Sequence, residues 1–121
     1  MQRKILLVDD DPLVLKTTAK LLEKEGYQVL PVNGSAAAME AIGTNEFDLI
    51  LSDIRMPGKN GVEAANEIQE TLLAAGKRDL PIVFITGYAE FGVQLKANFV
   101  GEVLYKPVDN DRLLATIRDY L

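Results

Sequence analysis

Residues 5–12 read ILLVDDDP, Ile5 through Pro12. Ile5, Leu6, Leu7 and Val8 are large and apolar and favour burial, whereas Asp9, Asp10 and Asp11 repel one another and favour water or a cation. The junction fits a strand that runs through a core and delivers its carboxyl end to a rim where something positive binds.

Similar apolar runs recur along the 121 residues: Lys4–Val8 (KILLV), Gln28–Val32 (QVLPV), Asp48–Ser52 (DLILS), Pro81–Thr86 (PIVFIT) and Glu102–Tyr105 (EVLY). The first, third and fourth are continuously apolar, as expected of strands covered on both faces in a parallel sheet. Pro31 weakens the second run and places it at a sheet edge. The segments between read as helices. Asp11 before Pro12 is an N-cap with proline at the first helical position, Gly26 is the matching stop, and Val14, Thr18 and Leu21 or Leu22 recur at helical spacing. Ser35 can cap a short helix through Ile42. Val62, Ala65, Ile68 and Leu72 form one stripe after Gly61, and Asp109 caps a last helix with Leu113, Leu114, Ile117 and Leu121. The fourth helix, Ala89–Phe99, has the weakest pattern because Gly92 interrupts it. Alternating strand and helix predicts βα repeats, a parallel sheet and helices on both of its faces, in one domain over residues 1–121.

The chain has no cysteine, histidine or tryptophan. Disulfides, thiolate nucleophiles, histidine-based triads and most zinc sites are therefore excluded, and any metal must sit on oxygen ligands, which points to a hard cation. The net charge of -5 argues against a nucleic-acid surface. Arg3 and Lys4 precede an apolar run far shorter than the ~7–15 residues of a signal core, and no segment approaches the ~18–20 residues of a membrane span. The expectation is a cytoplasmic protein with no membrane contact.

In open α/β sheets, ligands bind beyond the carboxyl ends of the strands. The residues that follow the apolar runs are Asp9 and Asp10 after the first, Asn33 after the second at the edge, Asp53 after the third, Thr86 at the end of the fourth and Lys106 after the fifth. Three acids, a hydroxyl and a lysine would thus converge on one rim. Crowded carboxylates raise one another's pKa, and a bound Mg2+ removes that conflict. An aspartate beside such a cation, with a lysine opposite, can attack a phosphoryl group, the remaining groups supplying position and charge neutralisation.

Taken together, ILLVDDDP (Ile5–Pro12), DLILSDIRMPGKNG (Asp48–Gly61), PIVFITG (Pro81–Gly87) and YKP (Tyr105–Pro107) resemble the receiver domain of two-component response regulators, of the chemotaxis-regulator-like type. The resemblance spans essentially the whole chain in the family's order and spacing. It implies a flavodoxin-like (βα)5 doubly wound sheet with strand order 2-1-3-4-5. It also implies Asp53 as phosphoacceptor, Asp10 as a direct Mg2+ ligand, Asp9 as a ligand mainly through water, and the Arg55 backbone carbonyl as a further ligand. Lys106 would contact a phosphoryl oxygen, Thr86 would turn inward to the phosphoryl group, and Lys106–Pro107 is a candidate cis peptide. Mn2+ is the expected substitute for Mg2+. The implied partner is a sensor histidine kinase or histidine phosphotransfer protein. This chain, having no histidine, cannot be that donor. The implied activity is a phosphorelay switch that catalyses its own aspartyl phosphorylation and dephosphorylation, with dimerisation through the face of the fourth helix, fifth strand and fifth helix, and with no output domain in this chain.

One departure stands out. The position three before the lysine, an aromatic in many receivers, is Val103, and the aromatic Tyr105 directly precedes Lys106. Strand alternation puts both on one face, which makes Tyr105 a candidate substitute. Tyr88 borders the site, as a shield of the phosphoryl group or a cover of the rim. Asp11 reads as a helix cap and Ser52 as packing. The competing reading is a Mg2+-dependent phosphohydrolase with Asp9 as nucleophile, since Asp9 and Asp11 fit a DxD pattern; it leaves Asp53 unexplained. A nucleotide-binding flavodoxin-like module would need a Gly- or Ser/Thr-rich loop where this chain has DDDP.

Overall fold

The apolar runs form the strands, and the segments between them form the helices. In the computed structural model, which describes residues 2–56, 58–87 and 91–121, the order is β1 (Lys4–Val8), α1 (Pro12–Lys24), β2 (Gln28–Val32), α2 (Ser35–Thr44), β3 (Leu49–Asp53), α3 (Gly61–Ala74), β4 (Ile82–Thr86), α4 (Phe91–Val100), β5 (Glu102–Tyr105) and α5 (Asn110–Tyr120). All pairings are parallel and the sheet order is β2-β1-β3-β4-β5, a flavodoxin-like fold. No helix among the described residues is long and apolar enough to cross a membrane.

Alternation along the strands sorts side chains into two cores. Leu6, Val8, Ile50, Ile82 and Phe84 pack with Ala38, Ile42, Val62, Ala65, Ile68 and Ala97, so α2, α3 and α4 cover one face. Ile5, Leu7, Leu49, Leu51, Val83 and Leu104 pack with Ala19, Leu22, Leu113, Leu114 and Ile117, so α1 and α5 cover the other. This two-sided cover is why Ile5–Val8, Leu49–Leu51 and Ile82–Ile85 are unbroken apolar runs. Burying a Leu, Ile or Phe of this kind contributes roughly 1.5–3 kcal/mol. The proline-bearing β2 lies at the edge as expected, with Pro31 exposed.

The helix starts follow local chemistry. The Asp11 carboxylate accepts from the amides of Leu13 (2.9 Å) and Val14 (3.4 Å), Pro12 opens α1, and Gly26 follows with φ +97°. In α1, Ala19 and Leu22 are buried and Leu15 and Leu21 partly so; of the expected stripe Leu21 and Leu22 pack in this core, and Leu15 and Ala19 take the place of Val14 and Thr18. Ser35 does not cap α2: it is the first helical residue, Gly34 holds the cap position with no side-chain bond, and the helix runs on to Thr44. Asp109 caps α5 by accepting from the Arg112 amide at 2.7 Å, and Leu121 lies just past its end. Strand β3 begins and ends one residue later than expected. Asp48 is drawn off by its carboxylate, which accepts from the Lys4 amide at 2.8 Å, while Asp53 pairs with Ile85. Helix α4 forms despite Gly92, with Ala97 buried and Val93 and Val100 partly so. The expected start at Ala89 lies outside the described residues. A single residue, Gly101, joins α4 to β5, and a Cβ there would stand 2.1 Å from the Ile82 carbonyl oxygen.

Candidate functional site

Strand polarity carries the ends of β1, β3, β4 and β5 to one rim, and the five residues expected there are in fact together. Ligand oxygens of Asp9, Asp10 and Asp53 all lie within 4.8 Å of one another. Lys106 Nζ stands 3.3 Å from Asp53 Oδ2. Lys106 is held in place through its backbone, its amide donating to the Thr86 carbonyl at 2.8 Å, and Lys106–Pro107 is cis. Thr86, fully buried, lines the same open pocket of about 700 Å³ as Asp10, Asp53, Arg55 and Lys106. Asn33, at the edge strand, is exposed and is not among these groups.

The neighbouring acids differ in environment. Asp10 is exposed, while Asp9 is 5% exposed and its Oδ1 accepts from the Asp11 amide at 2.9 Å. Burial raises the Asp9 carboxyl above its ordinary value, the Asp53 charge adds to this, and the Asp11 amide and Lys106 pull the other way. The carboxylates of Asp9, Asp10 and Asp53 gather beside the Lys106 ammonium, a crowding of acids that a bound cation relieves. These hard oxygen donors, with no sulfur or imidazole in the chain, suit Mg2+.

The loop after β3 brings further groups. The Arg55 amide donates to Asp53 Oδ1 at 3.3 Å, tying the carboxylate to its own loop. Met56 and Asn60 also line the pocket, and neither was expected there. Asn60 caps α3, accepting from Val62 (2.9 Å) and Glu63 (3.0 Å). Its signal was present, since Asn60 stands three before Glu63 in capping-box spacing. Ser52 is buried, as the packing reading requires, and also donates its hydroxyl to the Asp53 carbonyl at 2.8 Å. Val103 is partly buried against the α2–α4 core, while Tyr105, paired in register with Thr86, is 50% exposed. Tyr88 lies outside the described residues.

Comparison with known proteins agrees with this arrangement. The family model for the response regulator receiver domain matches residues 5–118. The chain is 33% identical over 119 residues to the transcriptional regulatory protein GlrR of Escherichia coli, covering 97% of this chain and 26% of that protein. It is 34% identical over 116 residues to the sensor protein GacS of Pseudomonas syringae, covering 94% and 13%. The chain therefore spans only a minor part of the length of these curated relatives. Among solved structures, a CheY-like receiver domain protein from Methanospirillum hungatei is 30% identical with a TM-score of 0.87, covering 98% of this chain and 93% of that one. The response regulator TrrA of Thermotoga maritima, solved in complex with Mg(2+)-BeF, is 28% identical with a TM-score of 0.86, covering 99% and 100%. On its motifs, its sheet order and this match over nearly its whole length, the chain belongs to the response regulator receiver domain family of two-component systems.

Proposed function

We propose that this domain accepts a phosphoryl group on Asp53 from a sensor histidine kinase or a histidine phosphotransfer protein, in a Mg2+-dependent reaction, and later loses it to water. The observation that carries this reading is the meeting of three carboxylates within 4.8 Å with an ammonium 3.3 Å from one of them. Asp10, Asp53 and the Arg55 carbonyl would hold the cation directly, and Asp9 mainly through water. When bound, Mg2+ supplies positive charge that offsets the carboxylates and the phosphoryl oxygens.

The chain's own residues do the rest. An Asp53 oxygen attacks phosphorus, the bond from phosphorus to the donor nitrogen breaks, and the donor imidazole leaves. Lys106 releases Asp53 to take a phosphoryl oxygen, and the Thr86 hydroxyl turns to another. Hydrolysis then breaks the phosphorus–oxygen bond and returns the carboxylate and inorganic phosphate. The GacS relative, named as a sensor protein, supports a histidine-kinase partner. The TrrA complex with Mg(2+)-BeF supports the cation and a phosphoryl-like ligand at such a site. Acetyl phosphate with Mg2+ should add one phosphoryl group per chain, seen by intact mass, and Asp53→Ala should abolish it. A variant that labels like the wild type would sink the assignment.

The phosphohydrolase alternative fits less well. Asp53 lines the open pocket beside Lys106, whereas Asp9 is not among the groups that line it. As an association face we assign α4-β5-α5, where Leu95 (47%), Phe99 (93%), Tyr105 (50%) and Tyr120 (42%) are exposed.

A further inference from the structure

Ser52 and Gly61 lie beneath the pocket, and the chemistry proposed above uses neither. Both are buried, and both meet the same group, the backbone carbonyl of Asp53. The Ser52 hydroxyl donates to that oxygen at 2.8 Å. The first residue of α3 also closes on it: a Cβ at position 61 would stand 2.1 Å from the Asp53 oxygen and 3.1 Å from the Asp53 carbonyl carbon and the Ile54 Cα. The Gly61 amide also donates to the Ile54 carbonyl at 2.7 Å. One residue later, the Arg55 amide returns to Asp53 Oδ1 at 3.3 Å.

We infer that Ser52 and Gly61 are positioning residues for the phosphoacceptor: together they fix the peptide plane between Asp53 and Ile54. That plane sets how the Asp53 carboxylate leaves the strand and where the Arg55 carbonyl, two residues on, falls. The inference rests on the receiver reading above and adds two residues to it. Position 61 tolerates no side chain because the obstruction is backbone. Clearing 2.1 Å to an ordinary contact of 3.4 Å means moving α3 or the Asp53 peptide by more than ~1 Å, a displacement large enough to cost ~100-fold where groups must be aligned. Ser52 acts more gently, since losing its hydroxyl frees the carbonyl without pushing it.

Gly101 supplies a matched control. A Cβ there meets the Ile82 carbonyl oxygen at the same 2.1 Å, but at the opposite end of β4 from Thr86. The experiment is calorimetric titration of the metal-free protein with Mg2+ alone, for wild type, Ser52→Ala, Gly61→Ala and Gly101→Ala. Each is held below its own thermal unfolding. Gly61→Ala should weaken Mg2+ binding by about 10–100-fold and Ser52→Ala by up to about 10-fold, the range seen when supports of a metal ligand are removed. Gly101→Ala should lower the unfolding temperature while leaving the Mg2+ affinity within about twofold, as a strained site remote from the ligand does. If Ser52→Ala binds as wild type and Gly61→Ala loses no more than Gly101→Ala, the inference is wrong. A loss confined to Gly61→Ala overturns the part given to Ser52. If Gly61→Ala does not fold, Ser52→Ala decides alone. A wild type that binds no Mg2+ defeats the reading of the site itself, and this inference with it.

Discussion

Lys106 and Asp53 are 53 residues apart in sequence, yet Nζ and Oδ2 stand 3.3 Å apart. Their strands are not neighbours: β4 lies between β3 and β5, so the lysine reaches across the end of β4, where its amide is anchored to Thr86. The Lys106 side chain is 40% exposed and that of Asp53 only 10%. Such a partly solvated pair contributes little to stability, on the order of 1 kcal/mol or less. In the proposed reaction its value lies in what replaces it, the ammonium exchanging a carboxylate oxygen for a phosphoryl oxygen.

Lys106→Met should therefore separate chemistry from folding. Labelling of Asp53 by acetyl phosphate should slow by about 100-fold, the usual cost of losing one positioned charge donor. The midpoint of thermal unfolding should move by only a few degrees, about 4 °C per kcal/mol in a domain of this size. Stopped labelling followed by intact mass gives the first quantity and calorimetry the second. A variant that labels at the wild-type rate would remove Lys106 from the reaction.

Asp9 makes a prediction about pH. Burial holds its carboxyl above the ordinary value in the folded protein. As pH rises from the ordinary carboxylate range through the raised value, the folded state keeps a proton that the unfolded chain has released. Stability therefore falls across that window, and the destabilisation is fully present above it. Asp9→Asn abolishes this titration. In EDTA at neutral pH it should unfold at a higher temperature than the wild type, and the gap should close as pH falls into the ordinary carboxylate range. Its Mg2+ affinity should drop. A variant less stable than the wild type at neutral pH in EDTA would contradict the account.

The legible part of this fold is the part written in continuous apolar runs. KILLV, QVLPV and EVLY are strands with the bounds read from sequence, because burial on both faces leaves little room for polar residues in the first and turn residues bracket the others. The meeting of Asp9, Asp10, Asp53, Thr86 and Lys106 was legible for the same reason, since each sits at or just after a strand end and parallel topology brings those ends together. Helix starts were less so. In NGS at 33–35 more than one residue is an acceptable cap, and Gly34, which the sequence offers no reason to prefer, holds the position. Asp9 and Asp10 are the same letter, yet one is buried and one exposed, a difference set by which face of the strand end each leaves from. The Ser52 bond to the Asp53 carbonyl depends on a rotamer, and no pattern of residues announces it.

Asn60 joins the loop after Asp53 to α3. Its carboxamide oxygen takes two amides that the first turn would otherwise leave open. Asn60→Ala should cost about 1 kcal/mol, whereas Asn60→Asp, a good cap with added charge against the helix dipole, should retain most of the stability. Chemical denaturation measures both. Equal losses in the two variants would mean that the cap is not what Asn60 contributes.

Phe99 tests the proposed association face. It is 93% exposed near the end of α4, four residues after the half-exposed Leu95, so the two form one apolar stripe on the helix. Large side chains of this kind are the residues whose loss most weakens an interface. Sedimentation of the protein saturated with beryllofluoride and Mg2+ should show self-association over a concentration series. Phe99→Asp should weaken it by at least about tenfold, or ~1.4 kcal/mol. Labelling of Asp53 should continue at the wild-type rate, because Phe99 does not line the pocket. If the activated wild type remains a monomer throughout the series, the stripe serves something other than a second copy of this chain. If Phe99→Asp slows labelling, α4 is coupled to the site more tightly than its exposed face suggests.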